Sequence, residues 1–218
     1  MNVGPSAAER PAIPPAILAG RVIAIARGLP AALLPDVAAA LLAGGVRAFE
    51  VTLDSPDALD GIAAVSAAAS ARGSDRLLVG AGTVLSSEEA AAALDAGARF
   101  LVMPHTDDRL VAWAAERGVP AFPGAMTPTE IVMAWRAGAA AVKVFPAGTL
   151  GPSFVREVRG PLARIPLVPT GGISAENAGA FLAAGAVAVG VGGWLTGSGD
   201  PATIRQRAAA LVAAAGVG

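Results

Sequence analysis

The chain has 218 residues and a net charge of −1 without a basic block, so one or two domains fit and a nucleic-acid partner is not expected. It has no cysteine and one histidine, which exclude disulfides and thiolate chemistry and leave little for a zinc site. No secretory signal or membrane span is evident, so we expect a soluble, cytoplasmic protein without a membrane partner.

Taken in chain order, the sequence repeats a short apolar run, a turn rich in Gly, Pro or Ser, and an Ala-rich amphipathic stretch closed by a glycine. An N-terminal extension over residues 1–19 comes first, with a helix predicted over 7–19. Eight strands are then predicted, at Val22–Ala26, Ala48–Leu53, Leu77–Ala81, Phe100–Met103, Val119–Phe122, Ala140–Phe145, Leu167–Pro169 and Val187–Val191. The predicted helices cover residues 31–44, 55–72, 86–96, 107–117, 127–137, 152–160, 175–184 and 203–215. The closing glycines are Gly45, Gly73, Gly97, Gly118, Gly138, Gly160 and Gly185.

Short apolar strands that alternate with helices predict parallel strands covered by helices. Eight such units favour an α/β fold of the (β/α)₈ TIM-barrel type, and 218 residues is near the lower size limit of about 200 for that fold. A doubly wound sheet is the alternative, but it rarely needs eight near-equal units. Because no linker or change of composition is evident, we expect one barrel domain over residues 1–218, with the extra N-terminal helix closing its bottom.

Lys143 is the single lysine among 16 basic residues. Arginine has a pKa above about 12 and cannot lose its proton to become a nucleophile, whereas a lysine amine can. A residue that remains lysine in such an arginine-rich chain is therefore a candidate for amine chemistry, with chance drift as the alternative.

Strand alternation places that lysine inside the predicted barrel. Lys143 points inward beside Phe145, and on another strand Glu50, Thr52 and Asp54 point inward as well. One reading is a Glu50–Lys143 ion pair that merely fills the barrel, although buried ion pairs stabilise proteins poorly. The other reading is Schiff-base chemistry. Desolvation would lower the lysine pKa, the imine would accept electrons from a breaking C–C bond, and Glu50 would transfer protons as general acid and base.

Paired glycines follow the last two predicted strands. Gly171–Gly172 stands after Thr170, and Gly192–Gly193 follows the eighth strand. Glycine lets backbone N–H groups approach an anion, and the loops after strands seven and eight are the recurrent phosphate site of this barrel type. The pattern predicts a site for a phosphate or carboxylate tail, and Thr83 after the third strand can donate to a small anionic group.

These motifs resemble the 2-keto-3-deoxy-6-phosphogluconate aldolase family, which includes 4-hydroxy-2-oxoglutarate and 2-dehydro-3-deoxy-6-phosphogalactonate aldolases. They occur in family order over roughly residues 20–200. The matching segments are Phe49–Leu53, Val79–Val84, Phe122–Gly124 with Thr127–Glu130, Val142–Ala147 and Pro169–Ile173.

The resemblance implies a class I, metal-independent aldolase without a cofactor, usually a homotrimer. It implies that Lys143 forms the Schiff base and that Glu50 is the acid/base residue. It also implies that Thr83 binds the pyruvoyl carboxylate, that Pro104 lines the substrate pocket, and that the two Gly-Gly loops bind the phosphate.

The chain also departs from the family pattern. The gluconate-type enzymes have an arginine where this chain has Asp54, whereas the galactonate-type enzymes have one after strand one, which Arg27 matches. Thr170 follows the gluconate-type pattern. Gly193 replaces a serine that many members place beside the phosphate.

The sequence therefore predicts an aldolase that cleaves a 2-keto-3-deoxy-6-phospho sugar acid, of gluconate or galactonate type, to pyruvate and glyceraldehyde 3-phosphate. One alternative is an aldolase for short 4-hydroxy-2-oxo acids. A second is a phosphate-binding barrel isomerase or synthase, and a third is a non-catalytic scaffold. A metal-dependent aldolase is disfavoured because the sequence offers too few ligands.

Overall fold

The computed structural model describes residues 10–71 and 77–216. The strands are β1 (Val22–Ala26), β2 (Ala48–Thr52), β3 (Leu78–Gly82), β4 (Leu101–Val102), β5 (Ala121–Phe122), β6 (Gly124–Ala125), β7 (Val142–Val144), β8 (Leu167–Pro169) and β9 (Val189–Val191). The α-helices are α1 (Pro15–Gly20), α2 (Leu34–Ala43), α3 (Ala58–Ala71), α4 (Ser87–Asp95), α5 (Asp108–Glu116), α6 (Pro128–Arg136), α7 (Ala147–Arg159), α8 (Ala178–Ala183), α9 (Gly193–Thr196) and α10 (Pro201–Ala214). Within the described ranges, no helix is both long enough and apolar enough to cross a bilayer.

The strands form a curled parallel sheet of six strands and a smaller sheet of three. The first has the order β5-β4-β3-β2-β1-β9, and the second has the order β6-β7-β8. The two sheets also meet at an isolated bridge between Thr170 and Gly190, and the Val187 N–H donates to the Leu167 carbonyl at 3.0 Å. Helices follow the strands along the chain, so the prediction of an α/β fold with parallel strands is confirmed.

The fifth predicted strand, Val119–Phe122, is shorter in the structure, where β5 covers only its second half, and β6 follows as a separate strand beyond the predicted bounds. Pro123 lies between them and has no N–H to donate. Beyond it, the Gly124 N–H donates to the carbonyl of His105 at 3.3 Å, rather than continuing the ladder with β4. The register of the six-stranded sheet therefore ends at this proline.

The predicted N-terminal helix over residues 7–19 is too long, because α1 covers only Pro15–Gly20. Residues 1–9 lie outside the described ranges, and residues 10–14 are not helical. Proline suits the first turn of a helix but not its interior, so the pair Pro14 and Pro15 makes the helix begin here. Ile17 of α1 is fully buried.

Two apolar clusters occupy the two faces of the strands. The outer cluster joins the strands to the surrounding helices and includes Phe49, Val51, Val142 and Val144. The inner cluster contains Ile17, Ile23, Ala48, Phe100, Val102, Phe122, Ala141, Val168 and Ala188. Within it, the rings of Phe100 and Phe122 meet edge to face with centroids 5.8 Å apart. Each large side chain buried here contributes about 1.5–3 kcal/mol to the stability of the fold.

The glycines predicted to close helices mostly adopt the left-handed conformation. Positive φ values occur at Gly45, Gly97, Gly118, Gly138 and Gly185. Gly160 is the exception, because its φ is −52° and it ends α7 in the right-handed region. Gly73 lies outside the described residues.

Candidate active site

Strand alternation turns Glu50 and Lys143 to the inner face of the strands. Their neighbours two residues earlier, Ala48 and Ala141, belong to the inner cluster, whereas Phe49 and Val142 belong to the outer one. The exposed fraction is 2% for Glu50 and 5% for Lys143. The inward orientation expected for the two side chains is thus the observed one.

The expectation that Asp54 also points inward is wrong. Strand β2 ends at Thr52, so the alternation does not extend to Asp54, which lies exposed on the following turn. There its carboxylate forms a salt bridge with Arg27, which follows β1. The Arg27 guanidinium also donates to the Thr83 hydroxyl at 3.0 Å. Thr83 has a φ of +58°, a strained conformation for a β-branched residue.

A cavity of about 610 Å³ opens above the two buried charged groups. It brings together nine residues predicted for the site, namely Arg27, Glu50, Lys143, Phe145, Thr170, Gly171, Gly172, Gly192 and Gly193. Two predicted residues, Thr83 and Pro104, are not part of its lining. Thr83 contacts the site through Arg27, and the carbonyl of Pro104 lies against Gly124.

The cavity also contains residues that the sequence analysis did not select, and these are Ile25, Ile173, Ser174, Trp194, Thr196 and Gly197. Strand parity could have found Ile25, because it lies two residues after the inward Ile23. Trp194 and Thr196 lie on α9, a four-residue helix that no periodicity predicts. In the described part of the chain, no group of three or more His, Asp or Glu side chains is arranged to hold a metal ion.

Glu50 and Lys143 share the cavity without neutralising each other by direct contact. The salt bridges found in the described residues join Arg27 to Asp54 and Arg117 to Glu116, so the carboxylate and the amine are more than 4.0 Å apart. The Lys143 Nζ lies 4.8 Å from the centroid of the Phe145 ring. An ion pair that fills the interior is therefore not what the structure contains.

Burial dominates the acid–base properties of both groups. Desolvation raises the pKa of Glu50, with the positive charges of Lys143 and Arg27 acting against it. Desolvation lowers the pKa of Lys143, Glu50 opposes this shift, and Arg27 adds to it. Both shifts favour the neutral forms, a carboxylic acid and a free amine, because an isolated buried charge is costly.

Glycines make room for the inward polar groups. A Cβ atom at Gly82 would lie 1.8 Å from the Glu50 carboxylate, and one at Gly190 would lie 2.4 Å from the Thr170 hydroxyl. Lower in the interior, a Cβ at Gly80 would lie 2.4 Å from the Phe100 ring. The position of the Glu50 carboxylate thus depends on the absence of a side chain on the neighbouring strand.

The two Gly-Gly loops both line the cavity. Gly171 and Gly172 have φ values of +90° and +72°. The Asn177 side chain holds this loop, because its amide donates to the Gly172 carbonyl at 2.8 Å and its Oδ1 accepts from the Ser174 N–H at 3.0 Å. Within the described residues, the N–H groups of Gly171, Gly172 and Gly192 have no hydrogen-bond acceptor.

Comparisons with known proteins agree with this geometry. Residues 16–210 match the family model described as "Aldolase: KDPG and KHG aldolase". The chain is 37% identical over 195 residues to the "Probable 2-dehydro-3-deoxy-6-phosphogalactonate aldolase" of Rhizobium meliloti, covering 88% of this chain and 90% of that protein. It is 37% identical over 160 residues to the KHG/KDPG aldolase of Escherichia coli K12, covering 73% of each. A solved structure described as native KDPGal superposes with a TM-score of 0.83 at 33% identity, covering 88% of this chain and 93% of that one.

Proposed function

Because the chain belongs to the KDPG and KHG aldolase family, and is therefore a lyase, we propose that it cleaves a 2-keto-3-deoxy-6-phospho sugar acid, of gluconate or galactonate type, to pyruvate and glyceraldehyde 3-phosphate. The observation that carries this proposal is a buried lysine amine without a salt bridge, facing a cavity beside a buried carboxyl group. That arrangement suits covalent catalysis through a Schiff base.

The proposed reaction begins with attack of the neutral Lys143 amine on the C2 carbonyl of the substrate. Glu50, as the carboxylic acid, donates its proton to the departing hydroxyl, so that water leaves and a protonated imine and the Glu50 carboxylate remain. Glu50 then accepts the proton of the C4 hydroxyl while the C3–C4 bond breaks. The electron pair of that bond moves into the imine, which leaves an enamine and releases the aldehyde. Proton transfer from Glu50 to C3 restores the protonated imine, and its hydrolysis gives pyruvate and the free lysine amine and returns a proton to Glu50.

The surroundings of the two groups support these roles. An unperturbed lysine, with a pKa of about 10.4, is neutral in only about one molecule in 2,500 at pH 7. Burial lowers the pKa of Lys143 and so enlarges the fraction that can attack. The raised pKa of Glu50 eases protonation of its carboxylate, which suits a group that must accept and return a proton during turnover.

We assign the two ends of the cavity to the two charged ends of the substrate. Arg27, held by Asp54 and Thr83, is suited to bind the carboxylate beside the keto carbon. Phe145 and Pro104 are proposed to shape the same end. The loops of Gly171–Gly172 and Gly192–Gly193 are proposed to bind the phosphate through unpaired N–H groups, and Thr170, whose own N–H donates to the Val144 carbonyl, is proposed to position the first loop.

We further propose that the two sheets close into a single eight-stranded barrel over one domain. The Thr170–Gly190 bridge on one side, and the continuity of β5 and β6 through Pro123 on the other, support this closure. Closure would remove unpaired strand edges, which favour aggregation. The sheet would then have the strand number of a TIM barrel.

A homotrimer is also part of the proposal. Large apolar side chains that remain exposed on or beside helices α3 to α6 support an interface between copies, and these are Leu59, Leu85, Met126 and Met133. Light scattering on the purified protein would give three times the monomer mass. A monomeric mass at micromolar concentration would contradict this part of the proposal.

Borohydride reduction in the presence of pyruvate tests the proposed chemistry directly. We expect a stable pyruvate adduct on Lys143, located by peptide mass spectrometry, because reduction converts the imine to a secondary amine. Lys143→Arg is the matched control and should give no adduct at that position. An unmodified Lys143 in the native enzyme would reject the Schiff-base mechanism.

The substrate is tested separately, by kinetics with the gluconate-type and galactonate-type phosphorylated acids, their unphosphorylated forms and 4-hydroxy-2-oxoglutarate. Phosphate binding predicts a lower KM for the phosphorylated acids. Equal KM values with and without phosphate would favour the short-chain alternative.

A further inference from the structure

We propose that Ser174 supplies the hydroxyl that recognises the phosphate of the substrate. This inference rests on the proposed function, and it assigns a binding role to a residue outside the two Gly-Gly pairs. The starting point is the set of hydroxyl groups that line the cavity, which belong to Thr170, Ser174 and Thr196.

The two threonine hydroxyls are already engaged as donors. Thr196 Oγ1 donates to the Ile25 carbonyl at 2.6 Å, and the side chain is 2% exposed. Thr170 Oγ1 donates to the Val168 carbonyl at 3.3 Å, and that side chain is 7% exposed. A hydroxyl has one proton, so neither group has a second one to offer to an anion.

The Ser174 hydroxyl acts as a hydrogen-bond acceptor, whereas the two threonine hydroxyls act as donors. Its Oγ accepts a hydrogen bond from the Glu176 N–H at 3.3 Å, which uses a lone pair and leaves its proton free. The side chain is half-buried, so a ligand in the cavity can reach it. The Asn177 side chain fixes the loop by bonding both Gly172 and the Ser174 N–H.

The charge of the cavity lining makes such a donor important. Its cationic residues are Arg27 and Lys143, and the proposed mechanism uses both at the keto-acid end. The other polar lining groups around the glycine loops are neutral, and they include the loop N–H groups, the Trp194 indole and the Ser174 hydroxyl. A phosphate bound by neutral donors depends strongly on each of them, because hydrogen bonds to charged groups are the stronger class.

The test compares Ser174→Ala with wild type on a phosphorylated substrate and on its unphosphorylated form. We expect Ser174→Ala to raise KM for the phosphorylated acid about tenfold or more. We also expect kcat and the KM of the unphosphorylated acid to stay unchanged. Inorganic phosphate should also become a weaker competitive inhibitor. Ser174→Thr, which keeps a hydroxyl, should recover much of the loss.

Ser198→Ala is the matched control. Its hydroxyl likewise accepts from the N–H two residues later, that of Asp200, at 3.3 Å, but it is exposed and does not line the cavity. Identical kinetics for the two alanine variants, in an enzyme that still prefers the phosphorylated acid, would overturn the role of Ser174 alone. A wild-type enzyme indifferent to the phosphate would overturn both this role and the proposed substrate.

Discussion

The same strands build two halves of the buried interior. The lower half lies towards the start of the strands and is apolar, whereas the upper half lies towards their carboxyl ends and contains ionisable side chains. In the lower half, Ala48 and Ala141 pack with the rings of Phe100 and Phe122, and Ile17 belongs to the same cluster. Two residues further along the same two strands, a rise of about 6.6 Å, the inward positions hold Glu50 and Lys143.

The lower half contributes to the stability of the fold, and the upper half provides the groups for the proposed chemistry. The lower half gains free energy from apolar contacts, whereas the upper half buries two ionisable groups that are not paired in a salt bridge, at a cost to folding. Active sites of parallel α/β sheets lie at the carboxyl ends of the strands, where loops can change without loss of the core. Substitutions in the two halves should therefore have opposite effects on activity and on stability.

The largest effect is expected for Lys143→Arg in the upper half. The arginine carries a fixed positive charge and cannot form the imine, because it does not lose its proton near neutral pH. We expect kcat to fall at least about 10⁴-fold in a protein that still unfolds cooperatively. Steady-state cleavage assays and thermal unfolding provide the two measurements. A fully active variant would remove Lys143 from the mechanism.

Glu50→Gln should have the next largest effect, a loss of about 10²–10⁴-fold in kcat, because glutamine cannot transfer protons. The amine remains, so borohydride trapping of pyruvate on Lys143 should still succeed, although slowly. Peptide mass spectrometry and cleavage kinetics on the same preparation distinguish the two steps. If Glu50→Gln retained wild-type turnover, another residue or water would have to be the acid/base group.

In the lower half, Ile17→Ala should reduce the free energy of unfolding by about 2–5 kcal/mol, because it removes a fully buried side chain. The kcat of the folded fraction should not change. Leu18→Ala is the control on the same helix, and since Leu18 is 47% exposed, its effect should stay within about 0.5 kcal/mol. Urea titrations measure both. Equal effects of the two substitutions would show that α1 does not close this half of the interior.

The smallest change in the free energy of unfolding, opposite in sign to that of Ile17→Ala, is expected for Lys143→Met. Exchange of a buried amine for an apolar side chain should stabilise the inactive protein by about 1–4 kcal/mol. The folded-state pKa of Lys143 is lowered, so the wild type gains stability as pH rises from that lowered pKa towards 10.5. The extra stability of Lys143→Met over the wild type should therefore be largest at pH values below the folded-state pKa of Lys143. It should decrease as the pH rises from that pKa towards 10.5. A pH-independent advantage would contradict desolvation as the cause.

Much of this comparison was predictable from the sequence. Period-two alternation predicted the inward orientation of Glu50 and Lys143, and the closing glycines predicted where most of the helices end. Three features depended on tertiary contacts and were not predictable in this way. They are the break at Pro123, the exposed position of Asp54 on the turn after β2, and the entry of Trp194 into the cavity on α9. Local patterns do not specify where a strand stops or which loop folds back over a pocket.

Gly82 and Gly190, which lie beside the Glu50 carboxylate and the Thr170 hydroxyl, limit how the enzyme can be redesigned. A side chain added at position 82 would occupy the space of the Glu50 carboxylate, and one at 190 that of the Thr170 hydroxyl. Mutant libraries intended to broaden the range of accepted aldehydes should therefore leave these two positions alone. Substitutions are better introduced at Ile25, Ile173 and Trp194, which line the cavity.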